Sequence, residues 1–272
     1  MSSFSPSTFG VIGLGRMAQA LLFPLVDSGM VPASGVRAAV ATAGSVQRLA
    51  QQRPDLQIGL EVAPAWESDV VLLAVKPQQL DAVAAQAPQR DLASEGPLLI
   101  SVLAGVTIAR LQRLFPGRRI VRAVPNTPCL VRAGLTGLAW GDGVSAAQQA
   151  WVHGLFNQVG EVLELPESQL DAFLALTSSG PAFVALVAEA MADGAVAAGL
   201  PRAQAHHLAQ RTLAGTAELL QKQQLHPAQL KDMVSSPAGT TIAGIRALEQ
   251  GGVRAALIEA VVAAAERSRK LA

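Results

Sequence analysis

Gly13, Gly15 and Ala18 stand in the order G-x-G-x-x-A, where the apolar run 9–14 ends and the helix-forming run 18–28 begins. In a strand–turn–helix unit the first glycine permits the tight turn. The second lets the backbone approach a pyrophosphate, and the alanine lets the helix pack closely on the strand. The N–H groups and positive dipole end of the helix start then meet the phosphates. Arg16 and Met17 occupy the variable positions of this loop. The same pattern also occurs in ordinary turns; its place in a strand–helix–strand unit favours a bound dinucleotide.

Which dinucleotide is decided further on. An acidic residue ending the second strand would grip the ribose 2′-hydroxyl of NAD. Run 36–41 instead ends at Thr42, and no Asp or Glu lies between Asp27 and Asp55. Thr42, Ser45 and Arg48 are placed to meet a 2′-phosphate, so NADP, as NADPH in preference to NADH, is the expected cofactor. The alternative is that Ser45 caps the next helix and Arg48 is solvated. Ala74, Val75, Lys76 and Pro77 close the run 70–75 at the strand end where open α/β sheets bind ligands. Lys76 there is either a cofactor contact or surface charge. Pro125 and Asn126 end a later strand and read as a nicotinamide-side contact, or as a turn set by Asn and Pro chemistry alone.

The string Ser235-Ser236-Pro237-Ala238-Gly239-Thr240-Thr241 reads as a loop of small residues opening a helix, a natural seat for a carboxylate. A plain N-cap by Ser236 or Thr240 is the competing reading. Ser179-Gly180-Pro181 interrupts a long helical run and is either a pocket wall or only a kink. The four histidines have no metal or triad context, the lone Cys129 has no activating neighbour, and the chain has no tyrosine. No metal site is expected.

The elements that must position these residues fall into two halves. Apolar runs 9–14, 36–41, 70–75, 98–102 and 120–124 alternate with helical runs 18–28, 46–53, 78–87 and 108–114. That alternation specifies an α/β, Rossmann-type doubly wound and mostly parallel sheet, with 136–139 and 161–165 as added edge strands. After Pro166 strands vanish, and 169–198, 202–223, 228–234 and 253–270 are helical, with a break at Gly180-Pro181. The expected division is a dinucleotide-binding domain, 1–165, and an all-helical substrate-binding and dimerisation domain, 166–272. Alanine-rich helices bury little area each, and so small a domain has a thin core. A homodimer through the helical half is expected, or else helices that simply cover their own sheet.

The formal net charge is +1 and the charges are dispersed, so no nucleic-acid or membrane partner is expected. Residues 1–8 lack the basic start and apolar run of a leader, and the best apolar stretch, 183–200, contains Glu189 and Asp193. One cysteine fits a reducing, cytoplasmic setting.

Several of these motifs together resemble the pyrroline-5-carboxylate reductase family over nearly the whole chain. They are Gly13-x-Gly15-x-Met17-Ala18, Ala74-Val75-Lys76-Pro77-Gln78 and Arg122-x-x-Pro125-Asn126-Thr127-Pro128, then Ser179-Gly180-Pro181-Ala182, Asp193-Gly194 and the string from Gln229 to Thr241. The resemblance implies NAD(P)H-dependent hydride transfer to the cyclic imine 1-pyrroline-5-carboxylate, giving L-proline. It implies that Gly239 and Thr240 supply N–H donors to the substrate carboxylate, with Ser236 and Ser179 beside it. Thr241, the one catalytic residue it implies, would put a hydroxyl near the ring nitrogen, an orienting donor before a general acid.

Departures are Arg16 for a frequent Asn, Val124 for Met, Ala238 for Gly and Phe183 for Tyr. Arg16 puts in doubt any contact made by the family's Asn. Rival readings are a related imine reductase with another substrate and a non-catalytic nucleotide-sensing dimer. A β-hydroxyacid dehydrogenase is disfavoured, because the Ser179-Gly180-Pro181 segment carries no lysine.

Overall fold

The structure, a computed structural model, describes residues 4–88 and 97–270. Residues 1–3 of the N-terminal stretch read above lie outside the described residues. One sheet contains β1 (Phe9–Ile12), β2 (Val36–Ala39), β3 (Gln57–Gly59), β4 (Val70–Leu73), β5 (Leu98–Ser101), β6 (Arg119–Pro125), β7 (Gly134–Trp140) and β8 (Gly160–Glu164). Their order is β3-β2-β1-β4-β5-β6-β7-β8. Every neighbouring pair is parallel except β6 with β7. The order reverses between β1 and β4, so a crevice opens at their carboxyl ends.

The two-residue period of the strands explains the double winding. Val70 and Leu72 enter one apolar cluster, and Val71 and Leu73 the other. In β5, Leu98 and Ile100 oppose Leu99; in β6, Val121 and Ala123 oppose Ile120 and Val124. Strands apolar on both faces need cover on both. That cover is α1 (Arg16–Asp27), α2 (Ala43–Gln52), α3 (Ala63–Trp66), α4 (Leu80–Ala84), α5 (Ile108–Leu114), α6 (Ala146–Asn157) and α7 (Leu170–Thr177). Leu21, Leu22 and Leu25 of α1 join the first cluster with Val152 and Phe156 of α6. Trp66, Leu111 and Leu170 join the second.

The expected fold class is the one found, and differences are local. The run 78–87 is a 3-10 turn over Pro77–Gln79 followed by the short α4. β3, α3 and α6 were not expected.

The remaining helices are α8 (Gly180–Ala197), α9 (Arg202–Gln223), α10 (Pro227–Met233), α11 (Thr240–Gln250) and α12 (Val253–Arg269). The chain divides into two compact units, 1–178 with 264–272, and 179–263. Within the second, the buried apolar cluster consists of Ala192, Ala205 and Ala209, flanked by Ala195 and Val196. Arg202 pairs with Asp193 across the α8–α9 turn, and Arg254 with Glu249 across the α11–α12 turn. Leu186 and Ile258 remain 67% and 56% exposed. An open groove of about 880 Å³ runs between α8 and α9, lined by Pro181, Val184, Leu186, Glu189, His206 and Leu213 among others.

One expectation needs amendment. Within the helical stretch 167–197, an 18-residue window of mean hydropathy 1.6 is apolar enough by length and composition alone to cross a bilayer, with 17% of that window buried. The run is broken nonetheless, since α7 ends at Thr177 and α8 begins at Gly180.

Candidate active site

Gly13 follows β1 with φ +92°, and a Cβ there would sit 2.7 Å from the carbonyl oxygen of Ala74. Both the left-handed backbone and the close approach therefore require glycine. The turn is stitched to both neighbouring strands: Gly13 N–H donates to Ala39 O, and Ala74 N–H to Ile12 O, each at 2.9 Å. Gln19 Nε2 holds the Leu14 carbonyl at 3.0 Å. Gly15 is the N-cap of α1, which has no side-chain cap and no acid in its first turn.

The first intrahelical bond runs from Gln19 N–H to Gly15 O, leaving the N–H groups of Arg16, Met17 and Ala18 without helical acceptors. Space is open for 4 Å around the place of a Gly15 Cβ. An open cradle of unspent donors with no acid beside it fits a pyrophosphate. Met17 packs on the core, Ala18 is buried under the helix, and Arg16 is exposed.

At the end of β2, Thr42 and not Ser45 caps the next helix. Thr42 Oγ1 accepts from Ser45 N–H at 3.2 Å and meets Ser45 Oγ at 2.9 Å. Both hydroxyls lie on the loop, exposed or half-buried, and Arg48 is exposed one turn on. Neither Arg48 nor Arg16 has an ion-pair partner among the described residues. After β4, Ala74 and Val75 line the strand end, half-buried, and Lys76 projects exposed before Pro77 opens its 3-10 turn. These strand ends, with Gly13, converge on the crevice between β1 and β4.

β6 ends differently. Asn126 is 5% exposed, and its side chain is committed to the fold. Its Nδ2 donates to Thr177 O at 2.9 Å and its Oδ1 accepts from Leu135 N–H at 2.8 Å. The Pro125 carbonyl accepts from Ser178 Oγ at 3.3 Å. This bracing was not read from the sequence: the partners are nine and about fifty residues away. Cys129 is buried, and burial foremost pushes its thiol up from the usual range.

In the helical unit, Gly239 is the N-cap of α11 and no side chain caps it, so neither Ser236 nor Thr240 is the cap. Ser235 Oγ donates to Lys231 O at 2.7 Å, and Gly239 N–H to Ser236 O at 3.0 Å. Gly239 thus spends its N–H inside the loop. Thr240, Thr241 and Ile242 begin the helix without intrahelical acceptors, since Ala243 N–H is the first to bond, to Gly239 O. A Cβ at Gly239 would meet Ser236 Oγ at 2.3 Å, while Ala238 adopts φ +57°, a conformation that favours glycine. The Thr241 side chain is half-buried, and its hydroxyl makes no hydrogen bond among the described residues. Ser179 precedes α8, half-buried and without a capping bond.

A pyrroline-5-carboxylate reductase from Synechocystis sp. is 46% identical over 267 residues, covering 96% of this chain and 97% of its own. The chain belongs to the pyrroline-5-carboxylate reductase family. A pyrroline-5-carboxylate reductase from Glycine max is 41% identical over 270 residues, covering 97% of this chain and 96% of its own. A family model described as pyrroline-5-carboxylate reductase dimerisation matches residues 167–271. Another, described as NADP oxidoreductase coenzyme F420-dependent, matches residues 8–105. Among solved structures, a Plasmodium falciparum pyrroline carboxylate reductase with NADP bound is similar at TM-score 0.86 and 28% identity, covering 99% of both chains. The family is one of NAD(P)-dependent oxidoreductases, and the open cradle at Gly13 and Gly15 lies within the residues matched by the NADP oxidoreductase model.

Proposed function

We propose that this reductase converts 1-pyrroline-5-carboxylate to L-proline, with NADPH preferred as the donor. The observation that carries the reading is the start of α11. It offers uncapped N–H groups at Thr240 and Thr241 and an uncommitted Thr241 hydroxyl, in a family whose members are named for this imine.

When bound, the nicotinamide supplies the hydride. The chain's own work is to hold and orient. The N–H groups of Thr240 and Thr241 take the substrate carboxylate, with Ser236, Gly239 and Ser179 shaping its surroundings. The Thr241 hydroxyl donates to the ring nitrogen, which gains the electron pair of the C=N bond as hydride reaches carbon and takes its proton from solvent water. A threonine hydroxyl is too weak an acid to need more than this orienting role.

Gly13, Gly15, Arg16, Met17 and Ala18 hold the pyrophosphate. Ala74, Val75, Lys76 and Pro77 flank it, and Pro125 and Asn126 form the floor on the nicotinamide side. Thr42, Ser45 and Arg48 receive the 2′-phosphate, supported by the absence of any acid from 28 to 54.

The active species is a homodimer. An alanine cluster is a thin core for a helical unit that leaves Leu186 and Ile258 exposed, and the matched dimerisation model covers these helices. A second copy over the α8–α9 groove removes its apolar lining, Leu186 included, from water, worth roughly 1.5–3 kcal/mol for each large side chain fully buried. The single, buried thiol suits a reducing cytoplasm.

Supplying NADPH labelled with deuterium at the transferred position tests the reaction. Proline carrying one deuterium at the former imine carbon is expected; unlabelled proline, or none, contradicts it.

A further inference from the structure

Arg122 lies in β6, three residues before Pro125, with its side chain 2% exposed. Its Nη1 donates to Glu167 Oε1 at 3.1 Å, and its Nη2 lies 3.5 Å from Asp171 Oδ1. Each carboxylate reaches a further element. Glu167 Oε1 also accepts the N–H of Ile108, the first residue of α5, at 2.7 Å, and Asp171 Oδ1 accepts from Ser268 Oγ in the last turn of α12 at 2.7 Å. One guanidinium thus gathers β6, α5, α7 and the end of α12, all within the sheet unit.

An apolar contact would hold these elements at least as stably, because desolvating an ion pair offsets most of its attraction. What the charges add is direction. Aliphatic surfaces slide; a guanidinium between two carboxylates fixes the rotation and axial position of α7 on β6. The last turn of α7 is what needs fixing. Thr177 O meets Asn126 Nδ2 and Ser178 Oγ meets Pro125 O, and the chain leaves the sheet unit directly afterwards, returning to it at 264. Asp171 touches the anchors of both passages, Arg122 on the strand and Ser268 on the returning helix.

The geometry points to Asp171 as a positioning residue of the reductase, acting through Arg122 and Ser268 to hold the end of α7 against Pro125 and Asn126. The role rests on the reductase reading, but its structural part does not need it. D171N keeps shape and removes the charge. Expected are faster amide exchange at residues 177–179 in the cofactor-free protein, kcat lower by about tenfold, and NADPH affinity within about twofold of the parent.

A lower Tm with parent-like kcat and parent-like exchange at 177–179 would make Asp171 merely structural and overturn the proposal. If D171N does not fold, S268A leaves the ion pair intact. Faster exchange at 177–179 with kcat lower by about threefold supports the proposal; parent values of both overturn it. A parent protein that does not reduce the imine sinks the reductase reading and with it the positioning role. Exchange in D171N would still report on the clamp separately.

Discussion

Asn126 Nδ2 donates to the Thr177 carbonyl at 2.9 Å, joining the carboxyl end of a central strand to the last turn of α7. The same side chain accepts from Leu135 N–H, so both ends of the amide are spent. Any ligand contact from this position falls to its backbone or its remaining N–H. N126A strands the buried Thr177 carbonyl and the partly buried Leu135 N–H, with a cost of about 1–3 kcal/mol for a fully buried group left unpartnered. We expect urea unfolding to show a loss of at least ~2 kcal/mol. A parent-like midpoint and slope would mean that water replaces both bonds.

Thr241→Ala removes the uncommitted hydroxyl and leaves the α11 start in place. Turnover should fall by about 10- to 100-fold while NADPH binding, followed by nucleotide fluorescence, stays nearly intact. Equal turnover in mutant and parent would remove Thr241 from the chemistry.

Arg48 is exposed and without an ion-pair partner among the described residues, one turn past the Thr42–Ser45 cap. Arg48→Ala should lower the NADPH-to-NADH ratio of kcat/KM by about tenfold, chiefly through the NADPH term. An unchanged ratio would leave the 2′-phosphate to other residues.

Cys129 combines burial with a thiol pushed up chiefly by desolvation. Native protein should therefore react with a thiol-specific disulfide reagent far more slowly than protein in denaturant. Rapid native labelling would contradict that burial.

Asp69 is exposed, but partial desolvation of its carboxyl by itself raises the pKa. Donors from Ser7 and Thr8 outweigh this and hold it below the usual range. With the folded value depressed, its contribution is complete above the ordinary carboxylate pKa and is lost as pH falls through the lowered value. The Ser7 and Thr8 amide shifts should move together below the ordinary range and stay still in D69N. A step at or above the ordinary carboxylate range would show the hydrogen bonds too weak to matter.

The parallel sheet and the glycine turn were legible because their signals are local. Strands apolar on both faces read as continuous runs, and Gly13 is demanded by a turn whose residues adjoin in sequence. β3 escaped because three residues cannot display a period. α6 escaped although Ser145 and Gln148 form a reciprocal cap at its start, a pattern that sequence does carry; apolar residues around the whole helix blurred its face. The bracing of Asn126 and the cluster on Arg122 could not be read at all. Arg122 and Glu167 are 45 residues apart, and only the folded sheet brings them together. The α11 start was legible as a loop before a helix, but the spending of the Gly239 N–H inside the loop is a matter of conformation.

The central claim is the reaction itself, and NADPH absorbance on adding 1-pyrroline-5-carboxylate to the purified protein tests it most directly. NADH and the six-membered imine are run alongside. The account predicts rapid oxidation of NADPH with the five-membered imine, proline as product, and slower rates with NADH. Tight NADPH binding with no oxidation by this substrate would contradict it, leaving the dinucleotide fold without the proposed chemistry.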